Sequence, residues 1–396
     1  MRSRLQQGQV MGADAEFDAS PTQNGEPVEN VAVSPIGDQT FSAGAYESSG
    51  KVGVLRVLRS LAVDFPGTFR RIWLRVPRPV LASSGLRREQ LAVRSGIKQY
   101  RADQARGHHR FLLRRNIHRL EKGLIMWPRR SEFGGDYIGV TVAAAVRVYG
   151  ESAPLVSDAE RQWVLGVLTS YFEVTRQSTS PSIRSAESTF ARCFVAPNNG
   201  DELAGPHRHA IDVEGSGIDI DSLRRLAIGR RSVRWYEDKK VDRSVVDRAM
   251  EIARESPTAC NRAPYRFEII DSDSGVQEVA ECAMGTGGYA HQIPAIVVLV
   301  GDLSAFFHER DRHLIYIDSS LAAMAFVLGL EVQGVASCMI NWPDIPERDA
   351  RMRRLLGLAD TERVIMLIAY GYADAERLVP FSAKGSLDEI RAFGRI

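Results

Sequence analysis

Between residues 220 and 370, short apolar runs alternate with stretches of helical periodicity, and few folds accept that order. Tyr265–Ile270, Ala295–Val300, Val335–Ile340 and Val364–Tyr370 read as buried strands, the first two bounded by Pro, Asp or Gly. Ile317–Val332 reads as a long helix with Leu321, Ala325, Leu328 and Val332 on one face. Asp221 is placed to cap a short helix through Leu223 and Leu226. Asp242 is placed to cap the next, whose stripe is Val245, Ala249, Ile252 and Ala253. Such alternation predicts an α/β (α+β) fold with a helix-flanked central sheet.

The chain before this region is different. Residues 1–50 are rich in Gly, Ser, Ala and acidic residues without periodic apolar groups, and are expected to be disordered. Residues 51–215 read as a mostly helical, Arg-rich region and a linker. Leu112, Leu113, Ile117, Leu120 and Leu124 fall at helical spacing, as do Val142, Ala145, Val146 and Val148 before a glycine cap at Gly150. Residues 176–219 lack pattern and predict a linker, with a domain boundary near 215 and a second domain over 216–396.

Net charge is only +2, which argues against a nucleic-acid partner. Residues 51–130 nevertheless hold 20 Lys/Arg against 4 Asp/Glu, an excess that favours anionic ligands. Within it, residues 52–76 interleave arginines with apolar side chains. They fit either short helices packed on the protein or a weak contact with an anionic membrane surface. The four cysteines are widely spaced, as in a reducing compartment, and no run of 18 apolar residues or signal-peptide pattern occurs. The expected location is the cytoplasm.

Two clusters carry chemistry. Arg230, Arg231, Ser232 and Arg234 offer three guanidiniums and a hydroxyl within five residues, suited to a phosphate, a ribityl chain and an anionic ring edge. Ser256-Pro257-Thr258-Ala259-Cys260-Asn261 is a turn ending in an amide able to donate and accept along one heterocycle edge. In this order they resemble the FMN-dependent nitroreductase family, in which an Arg-Arg-Ser-x-Arg segment precedes a Ser-Pro-Ser-x-x-Asn-x-Gln-Pro-Trp-like one. Gly334-Val335-Ala336-Ser337-Cys338 resembles the family's segment beside the reactive flavin edge. Lys384 falls where the family places a last phosphate contact. The N-terminal segment His118–Leu124 more loosely resembles nitroreductase-like proteins associated with polysaccharide biosynthesis.

For about residues 220–396 the resemblance implies a dimeric nitroreductase-like fold with a mixed sheet and FMN at the subunit interface. It implies FMN contacts from Arg230, Arg231, Ser232, Arg234, Pro257, Thr258, Ala259, Asn261, Val335, Ala336, Ser337 and Lys384, with Asn261 reaching across the dimer. It further implies a cycle in which NAD(P)H gives hydride to the flavin and a small electrophilic acceptor then takes electrons. No catalytic acid and no metal site is evident. Two departures matter: the family's Gln is Ala263 and its Trp is Tyr265, which puts one polar contact in doubt. A non-catalytic flavin-binding module and an oxidase acting on a peptide or glycan remain as alternatives. Every flavin-like motif lies after residue 229, so residues 86–200 are expected to cover the site without building it.

Three further features are weaker. Gly285-Thr286-Gly287-Gly288 does not open a βαβ helix and reads as a flexible loop over the substrate face, with Tyr289 and His291 as candidate contacts. His118–Gly123 reads as a helix capped by Gly123. His207-x-His209 lacks further ligands at metal spacing and reads as a solvated loop.

Overall fold

The computed structural model describes residues 84–107, 109–149, 158–194, 215 and 217–394. The expected disorder of 1–50, the basic stretch 52–76, Gly150 and His207-x-His209 lie outside the described residues.

The C-terminal half is built on a four-stranded sheet of β1 (Tyr265–Ile270), β2 (Ala295–Asp302), β3 (Ala336–Asn341) and β4 (Glu362–Gly371), in the order β1-β2-β4-β3. All three strand pairings are antiparallel, and the parallel element expected of a mixed sheet is a single bridge between Ser232 and Ser337. Alternate residues of β2 face opposite cores: Val297 and Leu299 enter one, Ile296, Val298 and Val300 the other. Burial on both faces is why β2 is continuously apolar rather than alternating.

Helices α6 (Ile220–Gly229) and α7 (Arg243–Arg254) lead into β1, and α8 (Asp273–Cys282), α9 (Leu314–Val332) and α10 (Pro346–Leu356) connect the strands in turn. One face of the sheet is covered by α9 and α7 through Phe326, Val327, Leu330, Val246 and Ala249. The other carries α8 and α10 through Val276, Val279 and Met352. Asp242 caps α7 as expected, accepting from Ser244 N at 2.7 Å. The cap of α6, however, is Asp219, which accepts from Ser222 N at 2.9 Å and leaves Asp221 inside the first turn.

The long helix shows a second difference. Its core face is Ile315, Ala322, Phe326 and Leu330, not the expected stripe, of which Leu321 and Val332 are exposed together with Ile317 and Met324. In α7, likewise, Val246 is buried and Ile252 exposed. Helix α9 is apolar on both faces, which gives no periodic signal for which one meets the sheet. Residues Glu309–Val332 are long and apolar enough to cross a membrane, with mean hydropathy 1.6 over an 18-residue window, but the inner face of α9 is sheet core.

Five described helices precede α6: α1 (Ser84–Arg106), α2 (Arg110–Leu124), α3 (Ile138–Tyr149), α4 (Asp158–Val174) and α5 (Pro181–Cys193). Helix α5 lies inside the expected linker. Pro181 at its first turn and Ile183, Ala186 and Phe190 facing α3 and α4 give it a packed face that Ser-rich composition concealed. Helices α2–α5 share a core of their own around Ile117, Leu120, Val142, Leu168 and Tyr171. Helix α1 instead joins the sheet core through Ala92 and Val93, so the expected boundary near 215 does not separate two sets of contacts. Gly123 is not a cap: α2 runs on to Leu124, and the Phe133 ring lies where a Cβ at 123 would sit, 2.4 Å away.

Candidate functional site

The first cluster leaves α6 and runs beside β3. Val233 N–H donates to Ser337 O at 3.0 Å, Tyr236 N–H to Gln292 Oε1 at 2.8 Å, and Tyr236 hydroxyl to Val233 O at 2.8 Å. These bonds fix the backbone and leave the side chains to the site. Arg231 turns back on its own helix, donating to the carbonyls of Ile228 and Arg230, which suits a cation at a helix C-terminus. Arg234 lies against Ser232 O at 3.4 Å and the Tyr289 hydroxyl. Among the described residues neither Arg230 nor Arg234 has a carboxylate at ion-pair distance. Burial pushes the carboxyl of Glu331 up, with the charge of Arg230 opposing it.

The turn behind this cluster follows α9. Gly334 takes φ 75°, a left-handed helix end where a side chain would be strained, and Val335 N–H donates to Leu330 O at 3.0 Å. Val335 is fully buried, Ala336 opens β3, and Ser337 is 1% exposed with its hydroxyl unpartnered. A buried hydroxyl without a partner costs free energy, so this one, on the residue bridged to Ser232, fits a ligand rich in oxygen acceptors.

The second cluster is a tightly held loop. Cys260, Asn261 and Ala263 take φ of 54°, 51° and 47°. For a non-glycine residue that conformation costs on the order of 1 kcal/mol, least for Asn. The loop is clamped by hydrogen bonds: Ala259 N–H to Asp318 Oδ2 at 3.0 Å, Asn261 N–H to Thr258 O at 3.0 Å, and Ala263 N–H to Thr258 Oγ1 at 3.1 Å. Burial raises the Asp318 carboxyl, and the bond from Ala259 N–H opposes that rise. Arg262 is buried with its guanidinium 4.9 Å from the centre of the Phe306 ring, and Pro257 is exposed.

Within one chain the two clusters sit at opposite ends of α9. Asp318, which holds the Asn261 loop, and Glu331, beside Arg230, are separated by about 20 Å of helical rise. The structure thus gathers Arg230, Ser232, Arg234, Val335, Ala336 and Ser337 at one end and Pro257, Thr258, Ala259 and Asn261 at the other. Lys384 lies on an arm, residues 375–394, that is exposed throughout.

Several residues around these clusters carry no sequence signal of their own. Asp318 is the exception: a carboxylate on the core face of an apolar helix is anomalous enough to be found by inspection. Nothing in spacing points to Arg114 or to its partner Glu160. The loop at Gly285–Gly288, expected to be flexible, is anchored on the core. Thr286 is buried and donates to Ala280 O at 2.6 Å, and Tyr289 is a core residue whose hydroxyl meets Cys338 Sγ at 3.8 Å. His291 is exposed against the edge of Trp235.

Residues 227–287 and 283–372 match the family model described as the nitroreductase family. The C-terminal part of the chain carries a nitroreductase-family domain. A putative NADH dehydrogenase/NAD(P)H nitroreductase of Archaeoglobus fulgidus is 24% identical over 158 residues, spanning 40% of this chain and 89% of the relative. An NADH dehydrogenase of Thermus thermophilus is 26% identical over 190 residues, spanning 40% of this chain and 90% of the relative. Among solved structures, a nitroreductase family protein from Streptococcus pneumoniae is 25% identical, with 43% of this chain and 98% of that one covered and a TM-score of 0.38. An FMN-dependent nitroreductase from Clostridium difficile is 20% identical, with 43% and 98% covered and a TM-score of 0.37. The matched stretches of the nitroreductase-family domain include Arg230–Arg234, Asn261 and Ser337. Lys384 and all of α1–α5 lie outside them.

Proposed function

We propose that this chain is an FMN-dependent oxidoreductase that works as a homodimer, passing hydride from NADH or NADPH to a small electrophilic acceptor. The observation that carries the reading is the pair of guanidiniums at Arg230 and Arg234, with no carboxylate within ion-pair distance among the described residues, together with the buried and unpartnered Ser337 hydroxyl. Guanidiniums neutralise a terminal phosphate in place of a metal, and the hydroxyls of Ser232 and Ser337 suit a ribityl chain. FMN, when bound, supplies a two-electron hydride acceptor and donor.

Arg230, Ser232 and Arg234 hold and orient the phosphate end in this reading, and Asn261 reads the polar edge of the ring. Because those groups lie about 20 Å apart along α9 in one chain, a second copy is needed to complete each site. The exposed apolar face of α9, made of Ile317, Leu321, Met324 and Val332, supports such a pairing: a helix apolar all round needs cover on both sides. The Arg excess of the helical region favours an anionic acceptor.

The test is flavin content. The purified protein is expected to be yellow with FMN and without FAD. The double variant Arg230→Ala/Arg234→Ala is expected to fold and to be colourless. Full flavin occupancy in that variant would remove the basis of the assignment.

A further inference from the structure

The helical region reaches the second cluster directly. Arg114, on α2, donates from Nε to the backbone carbonyl of Asn261 at 2.7 Å. The same guanidinium donates from Nη1 to Glu160 Oε2 at 2.7 Å and lies 5.4 Å from the centre of the Trp163 ring. Glu160, at the start of α4, is buried. It also accepts from Arg110 Nε at 3.0 Å and from the Tyr149 hydroxyl at 3.1 Å. Burial alone would raise its carboxyl, but the bond from Arg110 and the charges of Arg114 and Arg110 hold it below its ordinary value. Glu160 is therefore a fixed anionic anchor, and Arg114 a rigid fork between that anchor and one peptide group.

That peptide group belongs to the residue whose side-chain amide matters. Asn261 is in the left-handed region, where few neighbouring conformations are available, so fixing its carbonyl restricts the direction in which its amide points. The other clamps on the loop, Asp318 and Thr258, hold the N–H groups of Ala259 and Ala263, and Arg262 Nη1 holds Ala259 O at 3.2 Å. Arg114 is the clamp on Asn261 O that comes from outside the matched domain.

We infer that Arg114, oriented by Glu160, is a positioning residue for Asn261, so that helices α2 and α4 are part of the flavin site and not only a cover over it. The inference rests on the reading of the site as a flavin site. Lysine at 114 would keep the charge beside Glu160 but, as a point donor, lacks the fork that serves both partners. Alanine leaves Glu160 paired with Arg110, so the helical core is kept.

The experiment is a double-mutant cycle on FMN affinity in the full-length chain, with Arg114→Ala, Arg114→Lys, Asn261→Gly and Arg114→Ala/Asn261→Gly. Glycine at 261 removes the amide without adding strain at positive φ. Each Arg114 variant is expected to weaken the FMN Kd about tenfold in the wild-type background, and Arg114→Ala less than twofold in the Asn261→Gly background. In flavin-free protein, hydrogen exchange over residues 258–264 is expected to be faster in Arg114→Ala, while exchange in α7 and β1 is unchanged. An FMN Kd within twofold of wild type in Arg114→Ala would overturn the proposal. So would equal effects in both Asn261 backgrounds, or unchanged exchange in the loop. A wild-type chain that takes up no FMN at all would instead show the flavin reading itself to be wrong, and the inference would fall with it.

Discussion

Gly96 lies at the middle of α1, where the helix crosses the turn Leu303–Ala305 at the end of β2. A Cβ at this position would stand 2.6 Å from Leu303 O and 2.8 Å from Leu303 C. Those atoms are backbone and cannot rotate away, so Gly96→Ala must push α1 off the sheet core that Ala92 and Val93 help to fill. Two effects compete. Alanine in a helix interior is favoured over glycine by about 1 kcal/mol. Overpacking a buried contact costs about 1–3 kcal/mol, and a clash with fixed backbone belongs to the upper part of that range. The net expectation is a loss of about 1–2 kcal/mol. The control is Gly139→Ala in α3, an exposed position with nothing within 4 Å of the added Cβ, expected to gain up to about 1 kcal/mol. Urea unfolding with equal m-values measures both. The sign decides. If Gly96→Ala stabilises the protein as much as Gly139→Ala does, α1 does not dock on Leu303, and its place in the sheet core is wrong.

Further expectations follow from the same contacts. His109 Nδ1 accepts the N–H of Leu112 at the start of α2, and burial pushes the imidazole down to about 4. The unfolded chain therefore binds this proton at higher pH than the folded one does. The contribution is fully present above about pH 6.5, shrinks as pH falls from there toward 4, and amounts to at most about 3 kcal/mol. His109→Gln should flatten that limb of a stability–pH profile, and an unchanged limb would assign it to other groups. Leu321→Asp, on the exposed face of α9, should yield monomer by sedimentation and lose flavin in step with dissociation. A stable, fully flavinated monomer would contradict the shared site. Asp318→Ala should release Ala259 N–H and weaken FMN binding about tenfold, checked by titration of flavin-free protein.

Much of the sheet domain is legible in the chain because its central strands, β2 and β4, are buried on both faces. Continuous apolar runs such as Ala295–Val300 leave little else for those residues to be. What the sequence conceals is orientation. Helix α9 is apolar all round, so the stripe through Leu321 and Val332 is as regular as the one that packs on the sheet, and only packing distinguishes them. Helix α5 was hidden for a different reason: its Ser-rich first turn resembles a loop, and three apolar residues suffice to dock it. At the candidate site the Arg cluster and the Asn261 turn carry local patterns. The clamp from Arg114 to Asn261 joins residues 147 positions apart, and no local pattern encodes it.

If electrons enter this protein from a nicotinamide and leave from its flavin, anaerobic mixing of the purified chain with NADH and with NADPH will show it. At least one donor is expected to bleach the flavin absorbance within a single turnover, and a quinone added afterwards to restore it. A flavin that stays oxidised with both donors, in protein shown to be folded, dimeric and fully loaded with FMN, would contradict the assignment as an NAD(P)H oxidoreductase.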